Sequence, residues 1–110
     1  MAEARYNGWA NRETWACSLH IDNDQGSYNF ARELMAEAHK GATEPDEPRW
    51  RLREALKDWI EREVETVHFE PAEATEWARM MAHDVGSVWR VNWDELARHM
   101  LEEEGEGNKQ

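Results

Sequence analysis

Residues 48–69 read Pro-Arg-Trp-Arg-Leu-Arg-Glu-Ala-Leu-Lys-Asp-Trp-Ile-Glu-Arg-Glu-Val-Glu-Thr-Val-His-Phe, and they decide the fold class. Leu52, Leu56, Trp59, Ile60, Val64 and Val67 recur at spacings of three and four, the pitch at which an α-helix returns side chains to one face. An apolar stripe of about four turns is too long for a strand and needs other helices to cover it. Pro48 suits the first helical turn, where a missing N–H costs nothing, and Phe69 with Pro71 closes the segment.

The same spacing extends in both directions. Upstream, Ser27 offers an N-cap for a helix with apolar positions Phe30, Ala31, Leu34, Met35 and Ala38, stopped by Gly41. Residues 42–47, with Pro45, form the longest connection. Before them Asn11 caps a first helix that turns Trp15 and Leu19 inward and ends near Ile21, ahead of the turn-rich residues 22–26. Downstream, Ala74, Trp77, Ala78, Met81 and Val85 define a fourth helix ending at Gly86. A fifth starts at Asn92, with Glu95 completing a capping box and Trp93, Leu96, Ala97, Met100 and Leu101 inward. The expected fold is all-α: one compact domain of five helices over residues 1–101, with a flexible acidic tail over 102–110.

Composition bounds the partners. Twenty-four acidic residues against thirteen basic ones give a formal charge of −11, yet seven positions are tryptophan. Each buried indole removes about 150–250 Å² from water, so a small core suffices. The expectation is a folded anion that repels free nucleic acid and anionic membranes and attracts basic partners. Cys17, alone in an apolar stretch, reads as a small buried hydrophobe. With no basic-then-apolar leader and no long apolar run, a soluble protein of the cytoplasm is expected. Monomer and dimer are both open.

Catalytic and metal-binding patterns are weak. His20, His39, His68, His83 and His99 are spread over every helix without paired ligand spacing, Ser18 and Ser27 lack a glycine elbow, and no glycine-rich loop stands ready for phosphate. No catalytic residue, metal or cofactor is assigned. The acidic residues are more informative, because Glu54, Asp58, Glu61 and Glu65 recur at four, three and four and align on one face of the third helix. Arg51, Lys57 and Arg62 stand close enough in sequence to neutralise part of that row. Glu70, Glu73 and Glu76 extend the negative surface, as do Glu102, Glu103, Glu104 and Glu106. Trp59, Trp77 and Trp93 fall on apolar stripes and read as core. Trp9, Trp50 and Trp89 lie at segment edges, and Trp50 is the candidate apolar anchor for a partner.

The run Tyr6-Asn7-Gly8-Trp9-Ala10-Asn11-Arg12-Glu13-Thr14-Trp15, followed by Leu19-His20-Ile21-Asp22-Asn23-Asp24, resembles the opening of a family of small uncharacterised proteins met in phages and prokaryotic mobile elements. Residues 91–99, Val-Asn-Trp-Asp-Glu-Leu-Ala-Arg-His, are similar to that family's closing helix. The resemblance implies a genomic context rather than a reaction. Together with the charge, it leads to a non-catalytic module that occludes the basic nucleic-acid-binding surface of a host defence complex, as an anti-CRISPR or anti-restriction inhibitor. A regulatory or assembly protein binding through an apolar helix face is the alternative. A small hydrolase or metal-dependent enzyme is the second. On its own residues the run still makes sense, with Asn7-Gly8 as a tight turn and Asn11 as a cap.

Overall fold

A computed structural model describes the backbone of residues 6–108 and the side chains of residues 6–103. It contains α1 (Arg12–Asp22), α2 (Gln25–His39), α3 (Glu47–Phe69), α4 (Glu76–Val85) and α5 (Trp93–Asn108), with 3-10 turns at Pro71–Glu73 and Val88–Arg90. Among the described residues there is no strand, and no helix is long and apolar enough to cross a membrane. The chain is a compact all-α globule. Of the stretch expected as an acidic tail, 102–110, only Glu102 and Glu103 have described side chains, both exposed; residues 109–110 lie outside the described residues.

Helix α3, 23 residues long, packs against α2, α4 and α5, while α1 lies on α4 and α2. Leu52, Leu56 and Ile60 on α3 are fully buried beside Ile21, Met81, Val85, Leu96 and Ala97. Truncating any one of these three to alanine would cost about 2–5 kcal/mol through lost burial and the cavity left behind. Val64, Trp59, Met100 and Leu101 pack around this centre. Trp93 is buried with them.

Helix starts are set by side-chain oxygens that take otherwise orphaned N–H groups. Ser27 does not cap α2. Asp24 does, its Oδ2 accepting the Ser27 N–H at 2.8 Å, so the turn between α1 and α2 shrinks and Gly26 lies inside the helix. Thr75 caps α4 through its hydroxyl and the Ala78 N–H at 3.0 Å, leaving Ala74 just before the helix. Gly86 ends α4 at φ +73°, a conformation glycine adopts without strain.

The inner face of α1 also differs from expectation. Thr14, Cys17, Ser18 and Ile21 are buried at spacings of three, one and three, whereas Leu19 is exposed and Trp15 is half-buried. Polar residues can join this face because their hydroxyls are paired: Ser18 Oγ donates to the Trp15 carbonyl at 2.7 Å, and Thr14 Oγ1 donates to Asn11 Oδ1 at 2.6 Å.

Thr14 belongs to a polar knot built from the N-terminal motif. Tyr6 and Trp9 exchange two backbone hydrogen bonds of 2.8 Å across Asn7 (φ +50°) and Gly8 (φ +89°), a tight turn that Asn-Gly suits. Asn11 Oδ1 accepts from the Thr14 N–H at 2.9 Å, and Asn11 Nδ2 donates to the Arg90 carbonyl at 2.8 Å. Arg12 reaches the carbonyls of Asp84 and Val85, at 2.6 and 3.1 Å, at the end of α4. Thr14 Oγ1 also accepts from the Asn92 N–H at 2.9 Å. The expected capping box is therefore only half formed. Asn92 Oδ1 does accept the Glu95 N–H at 3.0 Å, but the buried Glu95 carboxylate reaches away to accept from the Ala10 N–H at 2.9 Å.

Replacing Thr14 by valine keeps the shape of the side chain and leaves the Asn92 N–H without its acceptor. Urea denaturation should show a loss of about 1–3 kcal/mol; a change within a few tenths would mean that the knot contributes little. A second prediction concerns pH. Arg49 binds Asp94 through two bonds, 2.9 and 2.6 Å, joining α3 to α5 and holding the Asp94 carboxyl below its usual range. The Thr43 N–H, bonded at 3.1 Å, does the same for Glu47. Both groups stabilise the fold above their unfolded pKa and lose that contribution as pH falls through the folded value. Asp22 runs the other way: burial, then the nearby Glu103 charge, pushes its pKa up, so its contribution is present at low pH and fades as pH rises. Asp94→Asn should lower stability by under about 1 kcal/mol at neutral pH, since the pair is partly exposed. Thermal melts of wild type and variant should converge only in strong acid, as pH falls through the lowered folded value of Asp94, and a gap that persists once the carboxyl is protonated in both states would remove the ion pair as its cause.

Candidate protein-binding surfaces

The first candidate surface is the outer side of α3. Trp50, Glu54, Asp58, Glu61 and Glu65 share one helical stripe spanning about 22 Å, opposite the buried Leu52, Leu56 and Ile60. Glu54, Asp58 and Glu65 are exposed, Glu61 is half-buried, and Trp50 is half exposed. Of the three cations expected beside the row, one, Arg62, pairs with it. Arg51 turns away, paired with Glu47 and donating to the carbonyls of Lys40 and Ala38 at 2.6 and 3.3 Å. Lys57 forms no ion pair among the described residues. Instead Arg53 Nε stands 3.2 Å from Glu54 Oε2, and Arg62 Nε 3.2 Å from Asp58 Oδ2. Glu61 and Glu65 have no ion-pair partner among the described residues.

Such solvated pairs contribute about 0–1 kcal/mol and exchange partners readily. Two carboxylates of the row are thus loosely neutralised and two are open. Glu70 precedes the 3-10 turn after α3, Glu73 is its last residue, and Glu76 opens α4, where a negative charge suits the helix N-terminus. All three are exposed.

A second surface was not legible as such in the sequence. Phe30 of α2, Trp59 and Glu63 of α3, and Thr75 and Trp77 around the start of α4 line an open groove of about 480 Å³, together with Asp24, Gly26 and Ser27 at the start of α2. The Trp59 and Trp77 rings lie 5.6 Å apart and nearly parallel, and Phe30 meets Trp59 edge-on at 4.8 Å. The Trp77 indole N–H donates to the His20 carbonyl at 2.8 Å, which locks the ring. On the far side of Trp77 a groove of about 420 Å³ is lined by His20, Asn23, Asp24, Glu76 and Met80. Trp59 and Trp77, expected in the core, are half-buried and form the wall of the first groove. The sequence carried one signal: Trp59 and Glu63 are one turn apart, so a carboxylate interrupts the apolar side of α3.

The chemistry available in these grooves is limited. His20 Nε2 lies 2.9 Å from Asp84 Oδ2, an arrangement that orients an imidazole, but among the described residues no hydroxyl or thiol is hydrogen-bonded to His20. Cys17 is fully buried, which pushes its thiol up to about 12 and leaves it unreactive. Among the described residues no three of the histidine, cysteine, aspartate and glutamate side chains converge as metal ligands. His99 is occupied by the Trp9 ring at 4.6 Å and by Glu103 at 3.3 Å. Trp89, at 78% exposure, and Phe69, at 82%, stand out as apolar side chains in solvent.

Neither a curated protein nor a solved structure matches the chain. A family match does exist, and it spans residues 2–104, from the N-terminal motif through the core of α5. The chain with this polar knot and these two surfaces belongs to the Family of unknown function (DUF7249).

Proposed function

We propose that the protein is a non-catalytic, acidic binding module that covers a basic nucleic-acid-binding surface on a bacterial host complex. The observation that carries this reading is the stripe from Trp50 to Glu65, held rigid by the burial of Leu52, Leu56 and Ile60 on the opposite side of the same helix. Its four carboxylates are spaced by about 5.5 Å along the axis, compared with about 3.4 Å per phosphate in one DNA strand. The row is a diluted version of a nucleic-acid backbone. Charge therefore steers and orients the partner, and the indole of Trp50 supplies apolar contact at one end.

A net charge of −11 adds long-range attraction to a basic groove, with an on-rate that falls as salt rises. The resemblance of the N-terminal run to proteins of phages and mobile elements fits an inhibitor of a nucleic-acid-targeting defence, in the manner of an anti-CRISPR or anti-restriction protein. One observation favours a second reading. The exposed Trp89 and Phe69 suit a regulatory or assembly protein that binds through apolar contacts and uses its charge for solubility.

Passing a bacterial lysate over the immobilised protein distinguishes the two. Under the first reading, nucleic-acid-binding complexes are retained at low salt and released by added salt or duplex DNA. The double variant Glu61→Lys with Glu65→Lys, which reverses the two open carboxylates, should lose that retention while its thermal melt stays within about 1 kcal/mol of wild type. Retention that survives both salt and charge reversal, and is lost in Trp89→Ala, would replace the first reading with the second.

A further inference from the structure

We infer that the aromatic groove between α2, α3 and α4 is a receptor for a single arginine or lysine side chain presented by a protein partner. The case starts from what lines it. Phe30, Trp59 and Trp77 make the wall apolar and aromatic, and the polar residues around them include the carboxylates of Asp24, Glu63 and, on the far side of Trp77, Glu76. No lysine or arginine lines either groove, and among the described residues Glu63 and Glu76 have no ion-pair partner. The site offers an apolar trough for a methylene stem and negative charge for its cationic head. Those are the two halves of a lysine or arginine side chain.

An anion is the rival ligand, because the N-termini of α2 and α4 both end here. Their dipoles amount to about half a positive charge each. Both ends are already capped, α2 by Asp24 on the Ser27 N–H and α4 by the Thr75 hydroxyl on the Ala78 N–H. Asp24 and Glu63 in the groove, with Glu76 in the adjoining one, outweigh what remains, so a phosphate or carboxylate would be repelled. A purely apolar ligand would fill the trough but leave the Glu63 carboxylate beside a low-dielectric surface without a partner. A cation satisfies both, and an indole face adds about 0.5–1 kcal/mol at a partly exposed site. A volume of about 480 Å³ exceeds the needs of a free guanidinium and suits a side chain with its neighbouring peptide groups.

This receptor is separate from the acidic row. Trp59 and Glu63 lie about half a turn around α3 from Glu61 and Glu65, so the two surfaces face different directions and can fail independently.

The test is a titration of uniformly ¹⁵N-labelled full-length protein, at low salt, with the blocked peptide Gly-Arg-Gly and with its neutral isostere, blocked Gly-citrulline-Gly. Saturable shifts of the Trp59 and Trp77 indole N–H signals and of the Ser27 amide are expected with the arginine peptide. Binding of the citrulline peptide should be weaker by about fivefold or more. Glu63→Gln should weaken arginine binding by about threefold, with the indole signals otherwise in place, while Glu61→Lys with Glu65→Lys should change it by less than about twofold. Equal affinity for the two peptides would overturn the inference. So would arginine-induced shifts confined to residues of the α3 row, and that result would leave the proposed function standing.

Discussion

The hydroxyl of Thr14 ties two helix starts together. It donates to Asn11 and accepts from the N–H of Asn92, so the start of α1 and the start of α5 are fastened through one buried atom. Around it, Asn11 takes the Arg90 carbonyl, Arg12 caps the end of α4, and Glu95 takes the Ala10 N–H. A buried polar group without a partner costs more than a typical hydrogen bond contributes, so the Thr14 hydroxyl and the Glu95 carboxylate can be buried only with these partners in place. That requirement fixes the start of α1 against the start of α5. It also accounts for much of the distinctive N-terminal run: Asn11, Arg12, Glu13 and Thr14 are all engaged in capping or clamping.

With the ends fixed, α3 can be divided between two tasks. Its apolar stripe supplies the centre of the core, and its opposite side carries Glu54, Asp58, Glu61 and Glu65. Like charges at one-turn spacing oppose the helix by a few tenths of a kcal/mol per pair. Burial of Leu52, Leu56 and Ile60, each contributing about 1.5–3 kcal/mol, outweighs that repulsion several times over. The same balance permits a net charge of −11 on a domain of this size. A strongly negative surface needs a core that is not itself marginal, and indoles packed around the aliphatic centre provide it.

The aromatic groove depends on elements far apart in sequence. Phe30, Trp59 and Trp77 come from three helices, and Trp77 is locked by the carbonyl of His20 on a fourth. Half-buried rings of this kind serve two purposes, covering the core and presenting a wall to solvent. The carboxylate of Glu63 beside them has no structural partner among the described residues, which sets this groove apart from the polar knot, where groups are mutually satisfied.

Much of the helical order could be read directly from residue spacing. The stripe from Leu52 to Val67, the stop at Gly86 and the caps at Asn11 and Asn92 are local features, encoded within four or five residues by helix pitch and by the geometry of side-chain oxygens near N–H groups. The alignment of Glu54, Asp58, Glu61 and Glu65 is of the same kind. Tertiary structure alone decided the rest. Thr14 and Ser18 line the core while Leu19 does not, because pairing partners that are nonlocal or hidden in the backbone make burial of a hydroxyl affordable. Asp24 displaced Ser27 as a cap, Arg53 displaced Arg51 at the acidic row, and Glu95 left its own helix for Ala10. In each case a local pattern allowed several partners: Arg51 was drawn off by Glu47 and the carbonyls at the end of α2, and Glu95 by the Ala10 N–H that burial would otherwise leave unpaired.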